Sequence, residues 1–127
     1  MASLAGASLD RARLAGMDLR GVDLTGAELL RCDLSRCDLS GASLAEQSFE
    51  GCTFAGASLA QANLHAARLT DTSLKHADLR ACDLGAADLS GAVLDGAWLH
   101  GSLLDGAVFR GVSLAAVPLE GVSLAGA

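Results

Sequence analysis

Ala77-Asp78-Leu79-Arg80-Ala81, Cys82-Asp83-Leu84-Gly85-Ala86, Ala87-Asp88-Leu89-Ser90-Gly91: three successive pentapeptides carry leucine at the same place, small residues two places before it and aspartate one before it. The register extends in both directions without a break. Leucine or phenylalanine stands at every fifth residue from Leu4 through Phe49, Phe54 and Phe109 to Leu124, giving 25 repeats. Two places before this centre are 13 Ala, 4 Cys and 4 Val, the exceptions being Met17, Gln47, Thr72 and Ser102. One place before it, 17 of the 25 residues are Ser, Thr, Asp or Asn, and two places after it sit 14 of the 15 glycines, all but Gly85.

Neither regular period can bury such a pattern. Five residues of helix advance a side chain by about 500°, scattering the leucines around the cylinder. On a strand five is odd, so the leucines would alternate faces. The chain must therefore bend once per pentapeptide, turning each centre and each small residue inward and the other three slots outward. Glycine near the bend suits a turn that needs φ > 0. A period this short predicts a solenoid, in which each unit buries its apolar face against its neighbours.

Tandem Ala-Asp-Leu-x-x units such as Ala77 to Ala81 and Ala87 to Gly91 resemble the pentapeptide-repeat family over the whole chain. The resemblance implies an all-β fold, a right-handed quadrilateral β-helix with four pentapeptides to a coil. At a strand spacing of ~4.8 Å, that amounts to roughly six coils and a rod of about 30 Å. The unbroken register leaves no place for a linker, so a single domain over residues 1–127 is expected.

Tyrosine is absent, and Trp98 and Pro118 are the sole tryptophan and proline, so the expected core is leucine over alanine. No stretch approaches the ~20 apolar residues of a membrane helix. The start, Met1-Ala2-Ser3-Leu4, enters the repeat with no basic and apolar leader, so a cytoplasmic protein is expected, with no membrane partner. Cys32, Cys37, Cys52 and Cys82 all occupy the small inward slot, where a thiol serves as a slightly larger alanine. Cys32 and Cys52 should stack in neighbouring coils, within reach of a disulfide, though buried thiols in a reducing compartment need no partner. Zinc spacing is missing, since Cys32 and Cys37 fall on adjacent walls and no second ligand pair follows.

Catalytic constellations are missing as well. His65, His76 and His100 fall on different walls, and Asp18, Asp23, Asp33 and Asp38 share the slot before the centre, where short polar side chains bond local backbone. A phosphate cradle would need a lysine and a following helix, and Lys75 is the only lysine. The expectation is a protein that is not an enzyme and holds no cofactor or metal.

Grouping residues by position within a 20-residue coil gives four walls with net charges of −4, −1, +1 and −2, totalling −6. The −4 wall carries Asp23, Glu46, Asp83 and Asp105 and no Lys or Arg. Some members of the family resemble quinolone-resistance proteins thought to imitate duplex DNA, which makes a DNA-mimicking modulator of DNA gyrase the alternative function. DNA carries one charge per ~1.7 Å of axis, whereas this rod carries about one per 5 Å. Nucleic-acid binding is not expected, because no basic stripe exists.

Between residues 93 and 108 the polar slot turns apolar: Val93, Trp98, Leu103 and Val108 stand before four successive centres. Tryptophan is enriched among interface anchors. Val112, Val117 and Val122 replace alanine in the last inward slots, and a final coil with a bare β edge calls for a cap or a partner. Val93, Trp98, Leu103, Val108, Val117 and Val122 are therefore the candidate interface. The expected function is a protein-binding scaffold with an unidentified partner, forming a homodimer through its C-terminal end unless the chain is a segment of something longer.

Overall fold

The protein is described by a computed structural model covering residues 3–127; the inward slot expected for Ala2 lies outside the described residues. Parallel bridges join Ser3 to Asp23, Asn63 to Asp83 and Leu103 to Ser123, always 20 residues apart, so four pentapeptides make each coil. No helix occurs among the described residues.

One repeat, residues 63–67, shows how the backbone donors are satisfied. Leu64 N–H donates forward to Asp83 O at 2.7 Å, Ala66 N–H forward to Gly85 O at 2.8 Å, and Asn63 N–H backward to Ala42 O at 2.9 Å. Ala67 N–H closes the bend on Leu64 O at 3.0 Å. The fifth donor, His65 N–H, takes the Asn63 side-chain oxygen at 3.0 Å. Every N–H of the repeat thus has a partner, which a backbone curled around a dry core requires.

That last bond explains the polar slot. In eleven repeats the Ser, Thr, Asp or Asn before the centre accepts from the N–H two residues on. Short side chains that reach their own backbone are favoured at bends for this reason.

The residue two after the centre occupies the third position of the β-turn, and there φ is positive in every repeat. Fourteen of these residues are glycines at 66–76°, and the other eleven, Arg11, Arg31, Arg36, Glu46, Gln61, Ala66, Asp71, His76, Ala81, Ala86 and Ala116, stand at 55–63°. Positive φ at this position marks a type II turn, which glycine enters without penalty and an L-residue at a cost of roughly 1–2 kcal/mol. The glycine slot is therefore part of the bend itself.

The core runs unbroken along the shaft. Centres from Leu19 to Leu104 are 0–3% exposed, and the small residues from Ala27 to Ala107 pack beside them. Burial fades where no described coil lies beyond: Leu4, Leu9, Leu14, Phe109, Leu114 and Leu119 are only partly buried and Leu124 is 39% exposed. Met17 also departs from the inward pattern, standing 46% exposed in the first described coil.

The four cysteines are free and buried. Each thiol donates to a centre carbonyl of the preceding coil: Cys32 to Leu9 O, Cys37 to Leu14 O, Cys52 to Leu29 O and Cys82 to Leu59 O, at 2.6–2.9 Å. Burial pushes all four thiols up, Cys52 and Cys82 to about 12, so they stay protonated. The stacked pair Cys32 and Cys52 is occupied with carbonyls of two different coils.

Candidate interaction surface

Replacing the polar slot by Val93, Trp98, Leu103 and Val108 has a local cost, because none of these side chains can accept the N–H of Asp95, His100, Asp105 or Arg110. What the coil gains is exposed apolar surface: Trp98 is 58% exposed, Leu103 48%, and Val93 and Val108 37% each. Their bridges run to Ser73, Asp78, Asp83 and Asp88 of the coil before, so the four lie on four different walls. The girdle is not one patch, and Trp98 dominates its own wall.

Around Trp98 the structure assembles groups that sequence reasoning did not single out. Asp78 grips Arg80 through two parallel bonds of 2.8 and 2.7 Å, and the Arg80 guanidinium lies over the indole ring. The carboxyl of Asp78 is held below its ordinary value, chiefly by the Arg80 side chain. On the other side stands Pro118, which has no N–H to give the ladder, and no bridge forms between Trp98 and Pro118. The resulting notch is lined by Arg80, Trp98, His100, Pro118 and Glu120, with His100 Nε2 3.4 Å from Glu120 Oε2. Counting 20 forward from Trp98 and Arg80 reaches Pro118 and His100, so the four-residue grouping could have been read from the register.

The remaining candidates divide differently. Val117, only 8% exposed, belongs to the core, and Val122 is partly buried; neither can meet a partner laid along a wall.

The acidic wall has the expected membership, and most of its carboxylates already have work inside the chain. Asp23 accepts Thr25 N–H at 2.9 Å, and the Thr25 side chain and N–H hold its carboxyl below the ordinary value. Asp83 accepts Gly85 N–H at 2.9 Å and faces His65 Nδ1 at 3.6 Å. Asp105 accepts Ala125 N–H at 3.0 Å and the Ser123 hydroxyl. The opposite arrangement, paired charge, recurs at Arg20, which holds Asp18 at 2.7 Å and lies 3.4 Å from Asp38.

His65, His76 and His100 do not converge, and among the described residues no cluster of His, Cys, Asp or Glu could hold a metal ion. Among the described residues no helix is long and apolar enough to cross a membrane.

A coil of four pentapeptides with one polar, one apolar centre and one small slot defines a repeat β-helix, and comparison with known proteins agrees. A family model described as "pentapeptide repeat region" matches residues 27–109, and another, "pentapeptide repeats (8 copies)", matches residues 2–41. The chain belongs to the pentapeptide-repeat family. Among solved structures it is similar to a pentapeptide repeat protein of the Arabidopsis thaliana thylakoid lumen, at 33% identity and a TM-score of 0.62, over 71% of this chain and 59% of that one. It therefore spans about three-fifths of that protein's length. The pentapeptide repeat protein Rfr23 of the cyanobacterium Cyanothece 51142 is 20% identical with a TM-score of 0.51, over 96% of this chain and 90% of the other. A structure of QnrB1, a plasmid-mediated fluoroquinolone resistance protein, is 25% identical with a TM-score of 0.39, over 96% and 76%. No curated protein matches the sequence.

Proposed function

We propose that this protein is a non-catalytic interaction scaffold: a right-handed rod of about six coils, one domain over residues 1–127, which presents the Trp98 wall to a protein partner in the cytoplasm. The observation that carries the reading is Trp98 itself, 58% exposed and backed by an arginine locked to Asp78. A rigid aromatic with a charged neighbour is the kind of residue that dominates binding energy at interfaces. Four free, protonated thiols are compatible with a reducing compartment. The test is affinity capture with the folded protein, comparing wild type with Trp98→Ala. A partner held by wild type and lost from the variant is expected. Capture unaffected by the substitution would remove the Trp98 wall from the proposal.

Self-association is the first partner to examine, since Leu103 and Val108 extend the apolar coil onto two further walls. Sedimentation at micromolar concentration is expected to detect a dimer that Trp98→Ala weakens, and a strictly monomeric wild type would dismiss it.

The gyrase-directed alternative draws on the family resemblance and on the acidic wall. Asp23, Asp83 and Asp105 there bond the chain's own backbone, and a few screened charges steer weakly at physiological salt. Salt-sensitive gyrase inhibition lost on neutralising Asp23, Glu46, Asp83 and Asp105 together would make that alternative the function.

A further inference from the structure

Parallel bridges continue along each wall with two interruptions: Val93 and Trp98 do not bridge Ser113 and Pro118 near the C-terminal end, and a second gap lies nearer the N-terminal end. Ser3 and Ser8 bridge Asp23 and Glu28, and Ser43 and Ser48 bridge Asn63 and Arg68, but Asp23 and Glu28 do not bridge Ser43 and Ser48. The backbone agrees. Leu44 N–H reaches Asn63 O at 2.8 Å and Phe49 N–H reaches Arg68 O at 2.8 Å, whereas the equivalent donors one coil earlier, Leu24 and Leu29, have no partner across the gap. The ladder resumes at Arg31 N–H to Glu50 O, 3.0 Å, and at the bridge from Asp33 to Thr53. Two clefts open along the interruption, one between Val22 and Ala42, the other between Leu29 and Ser48.

The cause sits in the inward slot. On this wall the stacked small residues are Ala7, Ala27, Ala67, Ala87 and Ala107, with Gln47 alone among them. Glutamine brings four more side-chain heavy atoms than alanine into that column. Its Nε2 donates to Leu24 O at 2.6 Å, so the side chain stands between the two coils as a spacer with one bond to the lower lip. The next centre in the upper coil is Phe49, packed edge to face with Phe54 at 5.2 Å. Opened backbone donors would be costly in a dry interior, but the clefts give them water.

The geometry points to a hinge: the seam between residues 23–29 and 43–49, pinned by Gln47, lets the coils before it swing against the rest of the rod. In a stacked array each coil is held by its nearest neighbours, so a seam short of backbone bonds on two walls is a place where the array can flex. The two walls that keep their ladder, through Asp33–Thr53 and Asp38–Ser58, act as the closed side. A rod that bends at this seam can adapt its long face to a partner, which extends the scaffold reading without depending on Trp98.

Amide hydrogen exchange on the intact chain tests it. Leu24, Leu29, Ser43 and Ser48 are expected to exchange about 100-fold faster than Leu44, Phe49, Asn63 and Arg68, their equivalents one coil later. Equal protection of the two sets would overturn the hinge. Gln47→Ala restores the alanine column and is expected to slow the first set to the rate of the second; fast exchange in a folded Gln47→Ala variant would overturn the role of Gln47. Should that variant not fold, Gln47→Met keeps the bulk and removes the bond to Leu24 O. Exchange as fast as wild type or faster is then expected, and a closed, protected seam would sink the proposal.

Discussion

The guanidinium carbon of Arg80 lies 5.0 Å from the centre of the Trp98 ring, one coil away along the same wall. Because Asp78 holds Arg80 by two bonds and Asp78 itself bridges Trp98, Asp78 and Arg80 together fix the indole from one side.

Trp98 is the sole tryptophan, so intrinsic fluorescence reports this stack alone. Arg80→Ala should expose the covered ring face, raising acrylamide quenching and shifting emission to the red, with a stability cost of about 0.5–1 kcal/mol as expected for an exposed cation–π contact. Unchanged quenching would mean that the stack does not persist in solution.

Two glycines separate the cost of positive φ from the cost of a clash. Gly96 and Gly101 have φ of 71° and 66°, but a Cβ at Gly96 would clash with His76 Nδ1, whereas one at Gly101 meets nothing within 4 Å. Gly101→Ala should cost about 1–2 kcal/mol, the left-handed penalty alone. Gly96→Ala should cost more, and the excess should vanish when His76→Ala is added. Equal losses at the two sites would show that the imidazole swings away freely. In the converse direction, Ala86→Gly, at φ 55°, should stabilise.

The contrast also shows what sequence could reveal. Register and inward slots were legible because one spacing rule governs all 25 repeats, and wall membership followed only from the four pentapeptides to a coil that the family resemblance implied. Glycine marked the position of the turn, yet Arg11, Glu46 and nine other residues adopt the same φ, since the bend of the repeat imposes it whatever the side chain. Gln47 was visible as an odd residue in the small slot, but not the open seam, because the result depends on how Phe49 and the alanine column pack around it. Trp98 was legible as an exposed anchor; its arginine and proline neighbours required the 20-residue closure, which the pentapeptide spacing alone does not determine.

Acid should weaken the fold in a defined window. Asp18, Asp33, Asp38, Asp78 and Asp88 all titrate below their ordinary 3.8, chiefly through bonds from the side chains of Arg20, Ser35, Ser40, Arg80 and Ser90, Asp18 reaching about 2. With folded values lower than unfolded ones, the unfolded chain takes up protons first, so this stability is present above about pH 4 and is lost as pH falls towards 2. Urea midpoints should therefore be flat down to that point and then drop. Asp78→Asn keeps an acceptor for Arg80 N–H but cannot titrate, so its midpoint should fall less steeply with acid than that of wild type. A decline already complete at pH 5 would mean that other groups govern acid unfolding.

Ser102 holds the one buried side-chain oxygen or nitrogen without a hydrogen-bond partner among the described residues. It stacks directly after Cys82 in the small slot, where the thiol reaches Leu59 O at 2.6 Å; the hydroxyl, on its shorter bond, does not reach the corresponding carbonyl of Leu79. An unpaired buried hydroxyl costs about 1–3 kcal/mol, so Ser102→Ala should be neutral or stabilising despite the lost atom. Ser102→Cys should do better, filling the same space and donating as Cys82 does. Thermal midpoints are therefore expected to rise in the order wild type, Ser102→Ala, Ser102→Cys, by a few degrees per kcal/mol. A clear fall in Ser102→Ala would show that the hydroxyl has found a partner in solution, and with it that this stretch of the shaft is not dry.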